Sequence, residues 1–524
     1  MNLNWNNLDT ASAWKKLLSV SGTMRLNLML NRDRVKTYET PMAAGLVYNY
    51  AAKEVNPQIL AVMQELSDEQ QVIEKYKLLL DGEIINTGES RKVLHHLSRN
   101  QLGKSVIHNG KNIRDFYVEQ ITKISEFSRR VHSGQIVGST GARFTTLVQI
   151  GIGGSDLGPR AMYIALDQWA RKQNVKKMDA HFISNVDPDD AATVMASLNL
   201  ESTLFILVSK SGTTQETLAN ELFVKQFLVS SGLDPSKHMV AVTSETSPLA
   251  NNPNYLASFY IDDFIGGRFS STSAVGGVAL SLAFGPETFK LFLDGAAAAD
   301  RTSLEQDILK NPSLLDALIG VFERNIRGYT STAILPYSQA LSRFPAHLQQ
   351  ADMESNGKQV NRFGEKISYS TGPIIFGEPG TNGQHSFYQL LHQGTDVIPL
   401  QFIGFTNSQL GEDIIVEGST SQKKLCANLV AQIVAFASGN DNADPNKSFA
   451  GGRPSSLIKG TELTPLSLGA LLAHYENKIM FQGFLWNVNS FDQEGVQLGK
   501  MLTKKVLSGQ MDDTLRAYAE LFNI

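Results

Sequence analysis

The sequence is poor in cysteine, in charge of one sign and in long apolar runs, and each shortage excludes something. Cys426 is the only cysteine among 524 residues. No intramolecular disulfide can form and no thiolate metal cluster can be built, which is the usage of a reducing compartment. The formal net charge is only −4, so there is no broad basic face for a nucleic-acid backbone. No apolar run approaches the ~20 residues of a membrane span. The opening MNLNWNNLDTASAW lacks the basic start and apolar core of a secretory signal. Together these point to a cytoplasmic protein without nucleic acid or membrane as partner. Histidines at metal-ligand spacing beside a carboxylate are missing too, and His95 and His96, as neighbours on a helix, point apart. No metal is expected.

What is present is the composition of a globular protein, 42% hydrophobic and 19% charged. The length exceeds one ordinary core, so two α/β domains with helical additions are expected. Residues 1–115 read as mostly helical, with apolar positions at helical spacing in 41–63 and 71–80. From 116 the texture changes. Short apolar runs at 145–154, 179–184, 202–209 and 238–244 are separated by helical stretches, the pattern of a parallel sheet covered on both faces. A helical connector follows over 288–330. Strand and helix alternate again over 331–505, with runs at 332–337, 373–378 and 396–405. Residues 439–456 are polar and rich in turn formers, so a long surface loop is expected there. Late helices at 464–487 and from about 493 lead to a tail, 506–524.

Two Gly- and Ser-rich turns follow strands of the first α/β block. One is IGIGGSDLGPR, containing Gly154 and Ser155. The other runs from Ser209 through Lys210, Ser211 and Gly212 to Thr214. Glycines let backbone approach a ligand, and the helix start that follows aims free amides at the turn. Such turns also serve tight strand–helix packing, and Thr213 with Glu216 has capping-box spacing. Neither matches the Walker A or dinucleotide pattern. The pair therefore suits a simple phosphate monoester better than a nucleotide, and no cofactor is expected.

Candidate acid–base groups lie further on. Gln350 and Glu354 are four residues apart, on one helix face, with Asn356-Gly357 as a helix stop. Arg268 follows two glycines that fix its origin. His385 and His392 are seven apart, the second deeper in an apolar stripe and the more structural of the two. Gln493 and Lys500 lie about two turns apart on one face. Taken singly, each also fits an ordinary surface, core or salt-bridge role. Taken together, a base, a fixed cation and an anion holder are what proton transfer beside a sugar carbonyl requires.

The segments DFIGGRFSSTSAVG (263–276), QQADMESNGK (349–358), GEPGTNGQHSFYQLLHQGT (377–395) and FDQEGVQLGK (491–500) resemble the glucose-6-phosphate isomerase (phosphoglucose isomerase) family. The resemblance covers most of 145–505. It implies an α/β fold of two sugar-isomerase-type αβα sandwich domains, each with a parallel five-stranded sheet, over 116–287 and 331–505, plus N-terminal helices and a C-terminal helical arm. It also implies a homodimer with active sites at the subunit interface and a small sugar phosphate as substrate. By the same resemblance Gly154, Ser155, Ser209, Lys210, Ser211 and Thr214 hold the phosphate. Glu354 is the base between carbons 2 and 1, and Arg268 stabilises the enediolate. His385, from the neighbouring subunit, and Lys500 act at the ring oxygen, while Gln350 and Gln493 position hydroxyls. The loop SKSGTT departs from animal members, which carry a bulkier pair after the lysine. The hydroxyl positions survive, so the departure touches the loop's stiffness rather than phosphate binding.

Overall fold

The computed structural model describes residues 3–22, 24–99 and 102–524. Two sheets organise the chain. Their strands, in chain order, are β1 (Glu39–Pro41), β2 (Val47–Asn49), β3 (Thr146–Ile150), β4 (Asp179–Ile183), β5 (Thr203–Val208), β6 (Met239–Ser244), β7 (Ala257–Ile261), β8 (Ser331–Tyr337), β9 (Ile374–Phe376), β10 (Leu400–Phe405) and β11 (Ser455–Gly460). The first sheet has five strands in the order β7-β6-β5-β3-β4, and every pairing in it is parallel. Its central strand β5 is buried along its whole length. That is why it reads as an unbroken apolar run instead of an alternation.

The second sheet differs from the expected five parallel strands. It has six, in the order β1-β2-β11-β10-β8-β9. Four are parallel, and β2 and β1 complete the edge in antiparallel register. The helical spacing read over 41–63 is thus helix only from Pro57, in the helix Pro57–Glu69. Residues 39–41 and 47–49 pair instead, on either side of a short 3-10 turn at Ala43–Gly45, with Tyr48 lying opposite Ile458. A third difference falls at 439–456, where the loop ends early because Ser455 and Ser456 already belong to β11.

Alternate residues of each strand feed different cores, as the pleat requires. On the first sheet Leu147, Ile206, Val240 and Val242 join the main core, whereas Val148, Phe205, Leu207 and Ala241 pack under the helices of the other face. On the second sheet Ile334, Ile403 and Ile458 join that same main core, and Leu335, Leu400 and Phe402 face away. One continuous core therefore serves both sheets. Two helices are built for it. Ala274–Phe284 is buried on every side and apolar all round; Pro465–Leu485 is nearly as buried, and its Glu476 and Lys478 are paired with Arg99 and Asp316. Pro465–Leu485 crosses Pro286–Thr302 at paired glycines: a Cβ on Gly295 would fall 1.9 Å from Leu466 O, and one on Gly469 1.9 Å from Phe292 O. The chain ends in two helices, Gln497–Leu507 and Asp513–Glu520. The first buries no residue and the second only Ala519.

Candidate active site

Both Gly/Ser turns sit at carboxyl ends of adjacent parallel strands, β3 and β5. Open α/β sheets bind ligands at such ends. After β3 the chain makes a tight turn, Gly153–Ser155, and Gln149 Nε2 fixes it by donating to Ser155 O at 2.6 Å. Gly154 is pressed against the backbone of Gly267. A Cβ there would lie 2.2 Å from the Gly267 carbonyl carbon, so only glycine lets this turn touch the segment that carries Arg268.

After β5 the hydroxyls converge. Ser209 Oγ donates to Thr214 Oγ1 at 3.3 Å and accepts from the Gly212 amide at 3.2 Å. Ser211 Oγ accepts from the Thr213 amide and hydroxyl at 3.2 and 3.0 Å. Thr214 stands at the start of the helix Gln215–Ser230 without capping it. The capping box that Thr213 and Glu216 offered in sequence does not form. Lys210 Nζ lies 3.5 Å from Asp263.

Gln349–Glu354 forms a π-helical turn, a local widening frequent at functional sites. It places Gln350 and Glu354 on the wall of a cleft of about 940 Å³, shared with Lys358, Phe376, Asp492 and Gln493. Arg268 reaches this wall from behind. Its side chain is 1% exposed and four partners hold it. Nε donates to Ser355 Oγ at 2.7 Å. Nη2 donates to the carbonyls of Ser490 and Asp492 at 2.7 and 2.9 Å. Nη1 faces Glu354 Oε2 at 3.4 Å. That oxygen is buried and receives no hydrogen bond. Burial lowers the Arg268 pKa, while Glu354 and Asp492 oppose the shift; a guanidinium stays cationic under such pressure. The arrangement is an unsaturated carboxylate beside a rigid positive charge at the edge of a cavity. A Cβ on Gly153 would come 3.3 Å from Gln350 Nε2, so the first Gly-rich turn abuts the cleft wall.

The sequence-predicted residues thus fall into three groups. Arg268, Glu354, Gln350 and Gln493 come together at the cleft. Gly154, Ser155, Ser209, Lys210, Ser211 and Thr214 lie on the two turns at the ends of the adjacent strands β3 and β5. His385 and Lys500 join neither. His385 is exposed at the end of a short turn, Asn382–His385, and Lys500 is exposed on the helix Gln497–Leu507. His392 stacks on Phe436 at 3.8 Å and pairs with Gln432, the structural role its apolar stripe suggested. Sequence reasoning passed over Ser355, Ser490, Asp492 and Lys358. Two of these act on Arg268 through main-chain carbonyls, which leave no mark on residue identity.

Comparison with known proteins gives the family of the chain. A family model described as "Phosphoglucose isomerase" matches residues 49–519. A glucose-6-phosphate isomerase of Treponema denticola is 65% identical over 99% of each chain, and one of Borreliella burgdorferi is 49% identical over 99% of each. Among solved structures, a glucose-6-phosphate isomerase from Chlamydia trachomatis superposes with a TM-score of 0.92 at 43% identity, again covering 99% of both chains. By the family model and by relatives that cover 99% of it, the chain belongs to the phosphoglucose isomerase family.

Proposed function

We propose that this protein interconverts glucose 6-phosphate and fructose 6-phosphate, the aldose–ketose step of glycolysis and gluconeogenesis. The observation that carries the reading is the Arg268–Glu354 pair, 3.4 Å apart at the rim of the cleft, in a chain of this family. The hexose enters mainly as a ring. His385 and Lys500 move protons at the ring oxygen and the anomeric hydroxyl. Glu354 then removes the proton on carbon 2 and returns it to carbon 1. A free carboxylate, with pKa about 4.3, is too weak a base to do this unaided. The Arg268 guanidinium lowers the energy of the enediolate, whose charge develops on oxygen; such stabilisation is strongest where water is kept out. Gln350 and Gln493 orient hydroxyls. Gly154, Ser155, Ser209, Lys210, Ser211 and Thr214 hold the phosphate, remote from the reacting carbons, so that its binding energy serves orientation.

His385 and Lys500 reach the reacting end of the sugar when two copies of the chain associate, His385 coming from the second copy. The apolar residues left exposed on the C-terminal arm support this: Leu498, Met501, Leu507, Leu521 and Phe522 are 49–75% exposed among the described residues. The homodimer works in the cytoplasm, where the phosphate charge retains the substrate behind an apolar barrier. A coupled assay of purified protein, converting fructose 6-phosphate to glucose 6-phosphate, tests the reading. Turnover by the wild type and its loss in Glu354→Gln are expected. Absence of turnover in the folded wild-type protein would overturn it.

A further inference from the structure

Asp492 occupies an unusual junction. Its main-chain oxygen accepts from Arg268 Nη2 at 2.9 Å. Its carboxylate forms an ion pair with Lys358 through Oδ1 and accepts from Asn489 Nδ2 at 2.7 Å through Oδ2. Both partners of the ion pair are largely buried, and both line the cleft with Glu354 and Gln493. Lys358 follows Glu354 by four residues, just past the π-helical turn. Asp492 is also the last residue held by the body of the protein, for the chain from Gln493 onward buries only Ala519. Asn489 in turn donates to Asn86 at 2.9 Å, and Ser490 Oγ to Asn356 Oδ1 at 2.7 Å. The segment before Asp492 is therefore anchored by side chains on two other parts of the chain, and Lys358 ties down its end.

We propose that Lys358 and Asp492 are positioning residues for the isomerisation: their ion pair latches the far wall of the cleft to the segment that carries Glu354. The latch acts in two ways. It fixes the carbonyl that Arg268 uses, which sets the guanidinium against Glu354. It also sets the starting point of the arm that presents Gln493 and, further on, Lys500. Lys358 has an electrostatic part as well, for it occupies a carboxylate that could otherwise turn toward the Arg268 guanidinium. Neither residue need touch a reacting atom. Displacing catalytic groups by about 1 Å can cost ~10²-fold in rate, so a latch at this point has leverage on turnover.

The proposal rests on the isomerase reading, and the test separates the two. Wild type, Lys358→Met, Lys358→Arg, Asp492→Asn and the Lys358→Met/Asp492→Asn double variant are assayed in the coupled reaction. Each is normalised to folded protein by circular dichroism, and inhibition by inorganic phosphate is measured in parallel. A wild type that does not turn over the sugar phosphate sinks the isomerase reading and the latch with it. With an active wild type, Lys358→Met is expected to lose at least about tenfold in kcat while the inhibition constant for phosphate, bound at the separate cradle, stays within about twofold. Lys358→Arg recovers most of the loss. The double variant exceeds Lys358→Met because no unpaired carboxylate remains. Asp492→Asn keeps the carbonyl and the shape but weakens the pair, so it also loses kcat, and it carries the test if Lys358→Met does not fold. Wild-type kcat in either single variant, or equal losses in kcat and phosphate affinity, would overturn the latch while leaving the isomerase reading intact.

Discussion

Arg268 donates from Nε to Ser355 Oγ at 2.7 Å, one residue past the carboxylate that its Nη1 faces at 3.4 Å. The guanidinium is thus tied to the turn that carries the base, although the two side chains come from different sheets' segments. The carbonyls of Ser490 and Asp492 take up Nη2, leaving Nη1 for the site.

Glu354→Gln keeps the shape of the side chain and removes its basicity. General-base contributions are typically ~10²–10⁴-fold, and kcat in the coupled assay should fall by at least that much. Inhibition by inorganic phosphate should be unchanged, since the cradle lies at the ends of β3 and β5. Turnover near the wild-type rate would remove Glu354 from its role.

Arg268→Lys tests the fork geometry. An ammonium cannot serve Ser355, two carbonyls and Glu354 from one point. We expect a kcat loss of ~10²–10³-fold, the usual cost of an electrostatic partner of the transition state. A stability loss of about 1–3 kcal/mol from carbonyls left unpaired should accompany it. Steady-state kinetics and urea unfolding measure the two separately.

Gly154→Ala should harm both parts of the site together. Its Cβ would meet the Gly267 backbone at 2.2 Å, and backbone on both sides must move. Overpacking of this kind costs about 1–3 kcal/mol. Because Arg268 follows Gly267, the substitution should raise KM and lower kcat at once; a change in stability alone would show that the two loops adjust independently.

His347 gives a pH prediction. It is fully buried with neither ring nitrogen hydrogen-bonded, and burial lowers its pKa to about 4. Above ~6.5, the ordinary value for histidine, the ring is neutral in both folded and unfolded chains and has no effect on stability. Between about 6.5 and about 4 the unfolded chain binds a proton that the folded chain refuses, so stability falls with pH and then levels off. The drop is about 3 kcal/mol. His347→Leu should flatten this part of the urea-midpoint profile relative to wild type, and identical profiles would show that the ring finds a way to protonate in place.

Much of this was legible in the chain. The buried strands β3, β5, β6, β8 and β10 announced themselves as apolar runs, because a strand covered on both faces has no polar side to show. The pairing of Glu354 with Arg268 was accessible through motif recognition. The edge of the second sheet was not. Residues 39–49 carry apolar positions whose spacing fits a helix, and only the open edge of β11, far along the chain, turns them into strands. The Lys358–Asp492 pair was hidden for a related reason: each residue looks like an ordinary surface charge until the fold brings them together. The separation of His385 and Lys500 from the cleft had no local signature at all.

The antiparallel edge has a consequence for biogenesis. Asn49 lies opposite Leu457 in the ladder, so the segment at 47–49 must wait for the much later synthesis of 457–459. Closing so long a loop delays the contacts that reward it. The first sheet, whose strands all lie within 146–261, can assemble while synthesis continues. The β1–β2 hairpin can dock only once β11 has been made, and until then its unpaired rim calls for protection from other nascent chains.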